Sequence, residues 1–145
     1  MASSGTSFEE FVSAARAVVE EQAREHADDR WWILEPLLLV ERRALHAAPL
    51  AEAPDALRAL RTAGPPALPE ALDARRAAIA LHVDLGVGGA VVPAVVLVVV
   101  TPLLHAVQVA RVERTDAGTP RLGPWGPSDL ADEDVAAALR RLAAG

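Results

Sequence analysis

Three residues near the middle of the chain are of types that could do acid–base or metal chemistry. His82 and Asp84 are two positions apart, so on a β-strand their side chains would share one face. An imidazole beside a carboxylate is typical of a metal site, or of a general base with an orienting acid. His105 could join them across a sheet, which gives one hypothesis: a small enzyme or ligand-binding domain. The simpler interpretation is that His82 and Asp84 form the polar end of a strand.

The residues that follow resemble a phosphate-binding loop in composition alone. The segment Asp84-Leu85-Gly86-Val87-Gly88-Gly89 ends in glycines. A phosphate site needs a helix N-terminus directly after them. Here a valine run interrupted by Pro93 follows instead. We therefore predict a glycine turn between two strands and no cofactor.

Other polar groups give no stronger chemistry. An acidic set near the C-terminus lacks the alternating ligands and central glycine of a calcium loop, so helix capping explains it better. Its members are Asp129, Asp132, Glu133 and Asp134. The serines lie in no nucleophile-elbow motif. The sequence assigns no catalytic residue and no metal, and it favours a protein that is not an enzyme.

Composition excludes several classes of partner and site. The net charge is −6, and the fourteen basic residues, all Arg, form no continuous stripe. Nucleic-acid binding is therefore not expected, because phosphate neutralisation by basic residues supplies much of that affinity. The absence of cysteine excludes disulfides and thiolate metal sites. No signal peptide is recognisable, so we expect a cytoplasmic protein. The Arg-rich, Lys-free composition is typical of GC-rich bacteria.

The element around which the rest must be arranged is the uncharged segment 85–110, which is almost pure valine at its centre. A strand that is apolar on both faces must be covered on both sides, or covered at an edge by another chain. The alternative is a membrane-anchored protein with a single span near 87–109, since about 20 apolar residues cross a bilayer. Glycines and prolines interrupt this segment, and Arg residues lie on both sides of it. We predict buried strands.

Helices are predicted before this segment. Ser7 and Glu10 fit a capping box, and apolar residues recur every three or four positions over 8–27. Proline at the start of 54–63 and of 69–78, with Gly-Pro-Pro between them, predicts a helical hairpin. For 36–47 a strand with an edge proline competes with a helix that begins at Pro36. We favour the helix, because Glu-Arg-Arg-Ala-Leu is helix-forming.

The C-terminal part is predicted to be mixed. Valines over 103–113 favour a strand, a turn is expected at 115–118, and 119–122 could pair back. A rigid loop at 123–127 carries Trp125. Ser128 is then expected to cap a last helix.

These observations predict an α+β fold in a single domain, 1–145. It comprises a disordered lead (1–6), a mostly helical part (7–82), a β-rich part (83–123) and a C-terminal helix (128–145). The leading functional hypothesis is a non-enzymatic interaction or assembly module, either a homo-oligomer or a subunit of a larger bacterial complex, with a protein partner or a second copy as its ligand. The interface candidates are Trp31, Trp32, Val96, Val98 and Trp125.

Overall fold

The computed structural model describes residues 8–26, 28, 34–101, 105–115, 119–127, 137 and 139–141, with the backbone alone at 85–87, 105 and 127. Its strands are Leu37–Glu41 (β1), Leu45–Pro49 (β2), Arg76–Val87 (β3), Ala90–Val100 (β4), His105–Arg114 (β5), Pro120–Leu122 (β6) and Gly126–Pro127 (β7). They form one antiparallel sheet in the order β2-β1-β3-β4-β5-β6, and β7 also pairs with β5.

Helix α1, Phe8–Glu25, covers one face of this sheet. Its buried residues recur every three or four positions, as the sequence pattern requires. They are Phe11, Val12, Ala15, Val19 and Ala23. They pack on apolar side chains of the central strands, two of them alanines, which allow the helix to approach closely. These are Ala78, Ala80, Val95, Leu97 and Val99. The structure thus shows most of the predicted helix 8–27, while Ser7 and residue 27 lie outside the described residues.

The opposite face is covered by helices α2 (Pro54–Thr62) and α3 (Leu68–Ala71), with 3-10 turns at Leu50–Glu52 and Pro65–Ala67. The core on this side contains Leu38, Val40, Leu50, Leu60, Leu68, Leu72, Ile79, Val96, Val98 and Val100. Leu139, from a helical stretch at 139–141, is buried in the same core. The C-terminal part of the chain therefore also covers the sheet.

The valine-rich segment is strand β4, and from residue 94 to residue 100 it is buried on both faces by this chain alone. Val95, Leu97 and Val99 face α1, whereas Val96, Val98 and Val100 face α2 and α3. The prediction of an extended, covered segment in an α+β fold is confirmed. No helix in the part of the chain that the structure describes has both the length and the apolar character to cross a membrane.

The long β3–β4 hairpin turns at two glycines, as predicted. The register pairs Ala77 with Val100 at one end and Val87 with Ala90 at the other. Gly88 and Gly89 between them have φ angles of 56° and 84°. Left-handed backbone at both positions of a two-residue turn matches the twist of the strands, and glycine adopts it without strain.

Two predictions about 36–78 are wrong. Residues 36–47 do not form a helix: β1 and β2 form a hairpin that turns at 42–44. The second helix of the predicted helical hairpin ends at Ala71, after which Asp73 has a φ of 50° and β3 begins at Arg76. In the first place residues 42–44 form the exposed hairpin turn and β1 is buried throughout, and in the second Ala77 and Ala78 are buried in β3. Burial of β1 and β3 between two helical layers outweighs helix propensities of about a few tenths of a kcal/mol per residue.

The chain after β4 follows the strand prediction. β5 occupies 105–114, and β6 pairs back on Val112–Arg114 across a turn in which the Thr115 N–H donates to the Thr119 carbonyl at 3.0 Å. Of the predicted C-terminal helix, the structure describes residues 137 and 139–141, all helical. The disordered lead predicted at 1–6 and the acidic capping residues Asp129, Asp132, Glu133 and Asp134 lie outside the described residues.

Candidate functional site

His82 and Asp84 lie on the distal half of β3, on the side of the sheet that α1 covers. Their side chains meet: His82 Nε2 is 3.0 Å from Asp84 Oδ1. The His82 side chain is 19% exposed and that of Asp84 is 62% exposed. A carboxylate this open to water orients an imidazole weakly, because solvent competes for the same hydrogen bond. The pair is the polar end of a strand that leaves the helical cover.

The structure does not bring His105 to this pair. The register places His82 opposite Val95, which in turn lies opposite Ala110. His105 lies opposite Val100. The two histidines are therefore five residue positions apart along the sheet, roughly 16 Å at strand spacing, and two strands apart laterally. No group of three or more His, Asp or Glu residues in the described ranges is arranged to hold a metal ion.

The interface candidates are placed differently from one another. Val96 and Val98 are 1% and 2% exposed and are covered by α2 and α3, so they offer no surface to a second molecule. Trp31 and Trp32 lie outside the described residues. Trp125 is half-buried beside α1, with the guanidinium of Arg16 5.8 Å from its ring centroid.

Arg16 joins α1 to the sheet. Its Nε donates to Gln108 Oε1 at 2.7 Å, and its Nη2 donates to the same oxygen. Trp125 then closes over the guanidinium, in a cation–π arrangement. The combination fixes the helix against β5 and the loop that carries Trp125. It is a contact within the folded chain, and Trp125 is half-buried there.

We expect Arg16→Met to lower the free energy of unfolding by about 2 kcal/mol, because a charged hydrogen bond and a cation–π contact are lost together. The matched control is Arg24→Met on the same helix, which removes a solvent-exposed pair with Glu21 and should cost less than about 0.5 kcal/mol. Urea denaturation of the two variants measures both. Equal losses would show that Arg16 does not hold α1 in place.

The feature that sequence reasoning missed is the outer edge of β2. This strand is the last in the sheet order, and no strand within the described ranges pairs with its outer side. From Leu45 to Pro49 its residues are half-exposed at both ends and exposed at the three positions between. It carries no Asp, Glu or Arg.

Two hydrogen bonds establish which backbone groups of β2 point outward. The Leu50 N–H donates to the Pro36 carbonyl at 2.9 Å, and the Arg42 N–H donates to the Ala44 carbonyl at 3.3 Å. Antiparallel pairs alternate between bonded and non-bonded positions. From these two bonds, His46 and Ala48 bond to β1. The N–H and C=O groups of Leu45 and Ala47 therefore point away from the sheet. The Pro49 carbonyl is also outside the pairing with β1, but Pro49 is the N-cap of the 3-10 turn Leu50–Glu52 and its carbonyl accepts the first bond of that turn.

A hollow of about 250 Å³ adjoins this edge on the side of α2. Its floor is apolar, and Arg42, His46 and Asp55 are its polar residues. The lining residues are Leu38, Val40, Arg42, His46, Ala47, Ala48, Ala53, Pro54, Asp55 and Leu72. Arg42 is held there by two hydrogen bonds, from Nε and Nη2, to the Leu72 carbonyl at 3.1 and 2.6 Å. The edge and the hollow together are the candidate site.

Comparison of the chain with protein-family models, with curated proteins and with solved structures returned no match. The function is therefore inferred from the geometry of the β2 edge and of the hollow beside it.

Proposed function

We propose that this chain is a protein-association module, not an enzyme, and that it binds an extended polypeptide segment along the outer edge of β2. The observation that carries the proposal is the row of outward N–H and C=O groups at Leu45 and Ala47. Backbone groups of this kind at a sheet edge add a further strand through main-chain hydrogen bonds.

As far as the described residues show, the edge lacks most of the protection that sheet edges usually have. Natural edge strands are blocked by charged side chains, bulges, prolines or a covering loop. In β2 the side chains between Leu45 and Pro49 are uncharged and small, apart from His46. Pro49 removes a single donor at the end of the strand, and the charged residues nearest along the chain, Arg43 and Glu52, lie beyond its two ends. An open, uncharged edge is suited to docking.

The hollow provides selectivity for the side chains of the docked segment. Side chains of an added strand alternate between the two sides of the sheet, so every second one would lie on the side of α2, next to His46 and Ala48. An apolar side chain there can reach the floor formed by Leu38 and Val40. Main-chain bonds would then provide affinity, and the hollow would provide preference for particular side chains.

Association with a partner is still proposed, but through the edge of β2 and not through the valines of β4. The valines that first suggested a partner are covered by α1, α2 and α3, so they no longer require one. The support now comes from β2, whose three central residues are exposed, whereas the centre of β4 is buried.

Replacing Ala47 by proline tests the proposal. Ala47→Pro removes one outward N–H and leaves the bonds of His46 and Ala48 to β1 in place. A photo-crosslinking residue at Ala51, beside the edge, is expected to give covalent adducts in the native cell, and Ala47→Pro should reduce them at least about tenfold, the equivalent of 1.4 kcal/mol. Ala47→Thr keeps the N–H and should retain the adducts. Crosslinker at the exposed Ala63, on the far end of α2, is the positional control.

Two results would count against strand docking. One is the absence of adducts at Ala51. The other is a set of adducts at Ala51 that Ala47→Pro leaves unchanged, since docking through the outward N–H of Ala47 requires that they fall.

A further inference from the structure

We infer that the segment docked on β2 is the β2 strand of a second copy of this chain. The two strands would run antiparallel across a two-fold axis at Ala47, joining two sheets into one. This inference rests on the proposed function, because it names the occupant of the same edge.

The outward backbone groups of β2 are self-complementary about Ala47. Pairing Ala47 with Ala47 of the second copy makes two hydrogen bonds, each N–H donating to the other carbonyl. The same register sets Leu45 opposite Pro49 of the second copy, whose carbonyl accepts the first bond of the 3-10 turn Leu50–Glu52 and has a second lone pair for the Leu45 N–H. The missing N–H of proline then costs one bond at each end. The neighbouring register, centred on His46, makes the same number of hydrogen bonds, so the charges that flank β2 decide between the two.

Charge favours the same arrangement. Arg42 and Arg43 precede β2, whereas Glu52 and Asp55 follow it, and all four are exposed. In an antiparallel pair the basic end of one strand lies beside the acidic end of the other, and this happens twice. A parallel pair would place arginine beside arginine. Local complementarity of this kind offsets the repulsion expected between two chains that each carry a net charge of −6.

The side chains do not oppose this approach. Ala47 lies at the axis and points to the α1 side, and Ala48 points to the α2 side beside the hollow. With small residues at both positions, two strands reach the normal spacing of about 4.8 Å without a clash between side chains. The contact is short, so we expect it to bury less than the roughly 1,200 to 2,000 Å² of a stable interface and the dimer to dissociate at low protein concentration.

Substitutions of opposite charge at Ala47, on the two-fold axis, test this geometry. Ala47→Asp and Ala47→Arg each place two like charges directly opposite one another, which destabilises a strand pair. In sedimentation velocity between about 1 and 300 µM, wild type and Ala47→Thr should pass from monomer to dimer. Each charged variant alone should dimerise at least about tenfold more weakly, and an equimolar mixture of the two should recover a dimer. Mutual rescue is expected only if position 47 meets position 47.

A second measurement does not depend on charge. The chain has no cysteine, so Ala47→Cys introduces a single thiol at the axis. Directly opposed residues of antiparallel strands have Cα atoms about 5.5 Å apart, within the range a disulfide spans. In a thiol–disulfide redox buffer, Ala47→Cys should form a linked dimer of twice 15.2 kDa, whereas Ala63→Cys should remain reduced. Circular dichroism checks that each variant is folded.

A wild-type chain that stays monomeric up to about 300 µM would overturn the inference, as would charged variants that fail to rescue one another. The proposed function fails separately. If adducts at Ala51 depend on the N–H of Ala47 but have a mass other than that of two chains, strand docking stands and the second copy is the wrong occupant. If dimers form but ignore every change at Ala47, the second copy does not dock on β2, and the adducts at Ala51 alone decide whether another segment does.

Discussion

Leu97→Ala is expected to lower the free energy of unfolding by about 3 kcal/mol, within the range for deletion of a buried leucine side chain. Leu97 is fully buried at the centre of β4, and it contributes to the core beneath α1. The cost combines the lost transfer energy with a cavity that neighbouring strands cannot close, because they are held by hydrogen bonds on both sides. Urea denaturation of the isolated chain gives the value directly.

Val91→Ala is the matched control. Val91 lies on the same strand but is 72% exposed, near the turn at Gly88 and Gly89. Its truncation should change stability by less than about 0.5 kcal/mol. The comparison separates two interpretations of the valine-rich strand. If the centre of β4 were an uncovered surface that binds a partner, truncation at either position would lower the free energy of unfolding of the isolated chain only slightly. A cost at Leu97 similar to that at Val91 would contradict the two-layer core.

Sequence patterns predicted the parts of the fold that local chemistry determines. The three- and four-residue spacing that begins at Phe8 is sufficient for a helix with one apolar face, and α1 lies there. Two adjacent glycines that allow positive φ, between apolar runs, predicted the turn of the β3–β4 hairpin. The uniformly apolar β4 predicted that both faces are covered. For the helix and the turn, the signal and the structure it specifies lie within the same twenty residues.

The residues whose structure depends on distant contacts were misassigned. Residues 36–47 are as compatible with a helix as with a hairpin, and β3 decides between them by pairing with β1 along its full length. The same holds for residues 72–78. No pattern within these residues predicts the pairing of β1 with β3.

The candidate site was hidden for a related reason. Whether β2 is central or at the edge depends on the order of the strands, which the sequence alone does not specify. The valines of β4 attracted the association hypothesis because they are apolar. The open edge consists of Leu45, His46, Ala47, Ala48 and Pro49, which form no recognisable motif. The histidines suggested a site that the structure does not form, because the strand register places His105 far from His82.

The hairpin that presents the β2 edge is fixed to the sheet at its base by a buried ion pair. Glu41, the last residue of β1, lies opposite Arg76, the first residue of β3. Arg76 Nη1 donates to Glu41 Oε1 at 2.7 Å, and the side chains are 20% and 7% exposed for Arg76 and Glu41. The Arg75 N–H also donates to the Glu41 carbonyl at 2.9 Å. Charge and backbone together hold this corner, so the orientation of β2 depends on it.

Arg76→Met is therefore expected to lower the free energy of unfolding by about 3 to 5 kcal/mol, because it leaves the carboxylate of Glu41 buried without its cation. The double variant Glu41→Leu with Arg76→Met removes both charges and should recover most of that loss, since a buried ion pair replaced by apolar side chains of similar volume is often neutral. Urea denaturation of the wild type, both single variants and the double variant completes the cycle. A double variant no more stable than Arg76→Met would mean that the arginine acts through packing of its stem, and that the buried carboxylate is not what makes its loss costly.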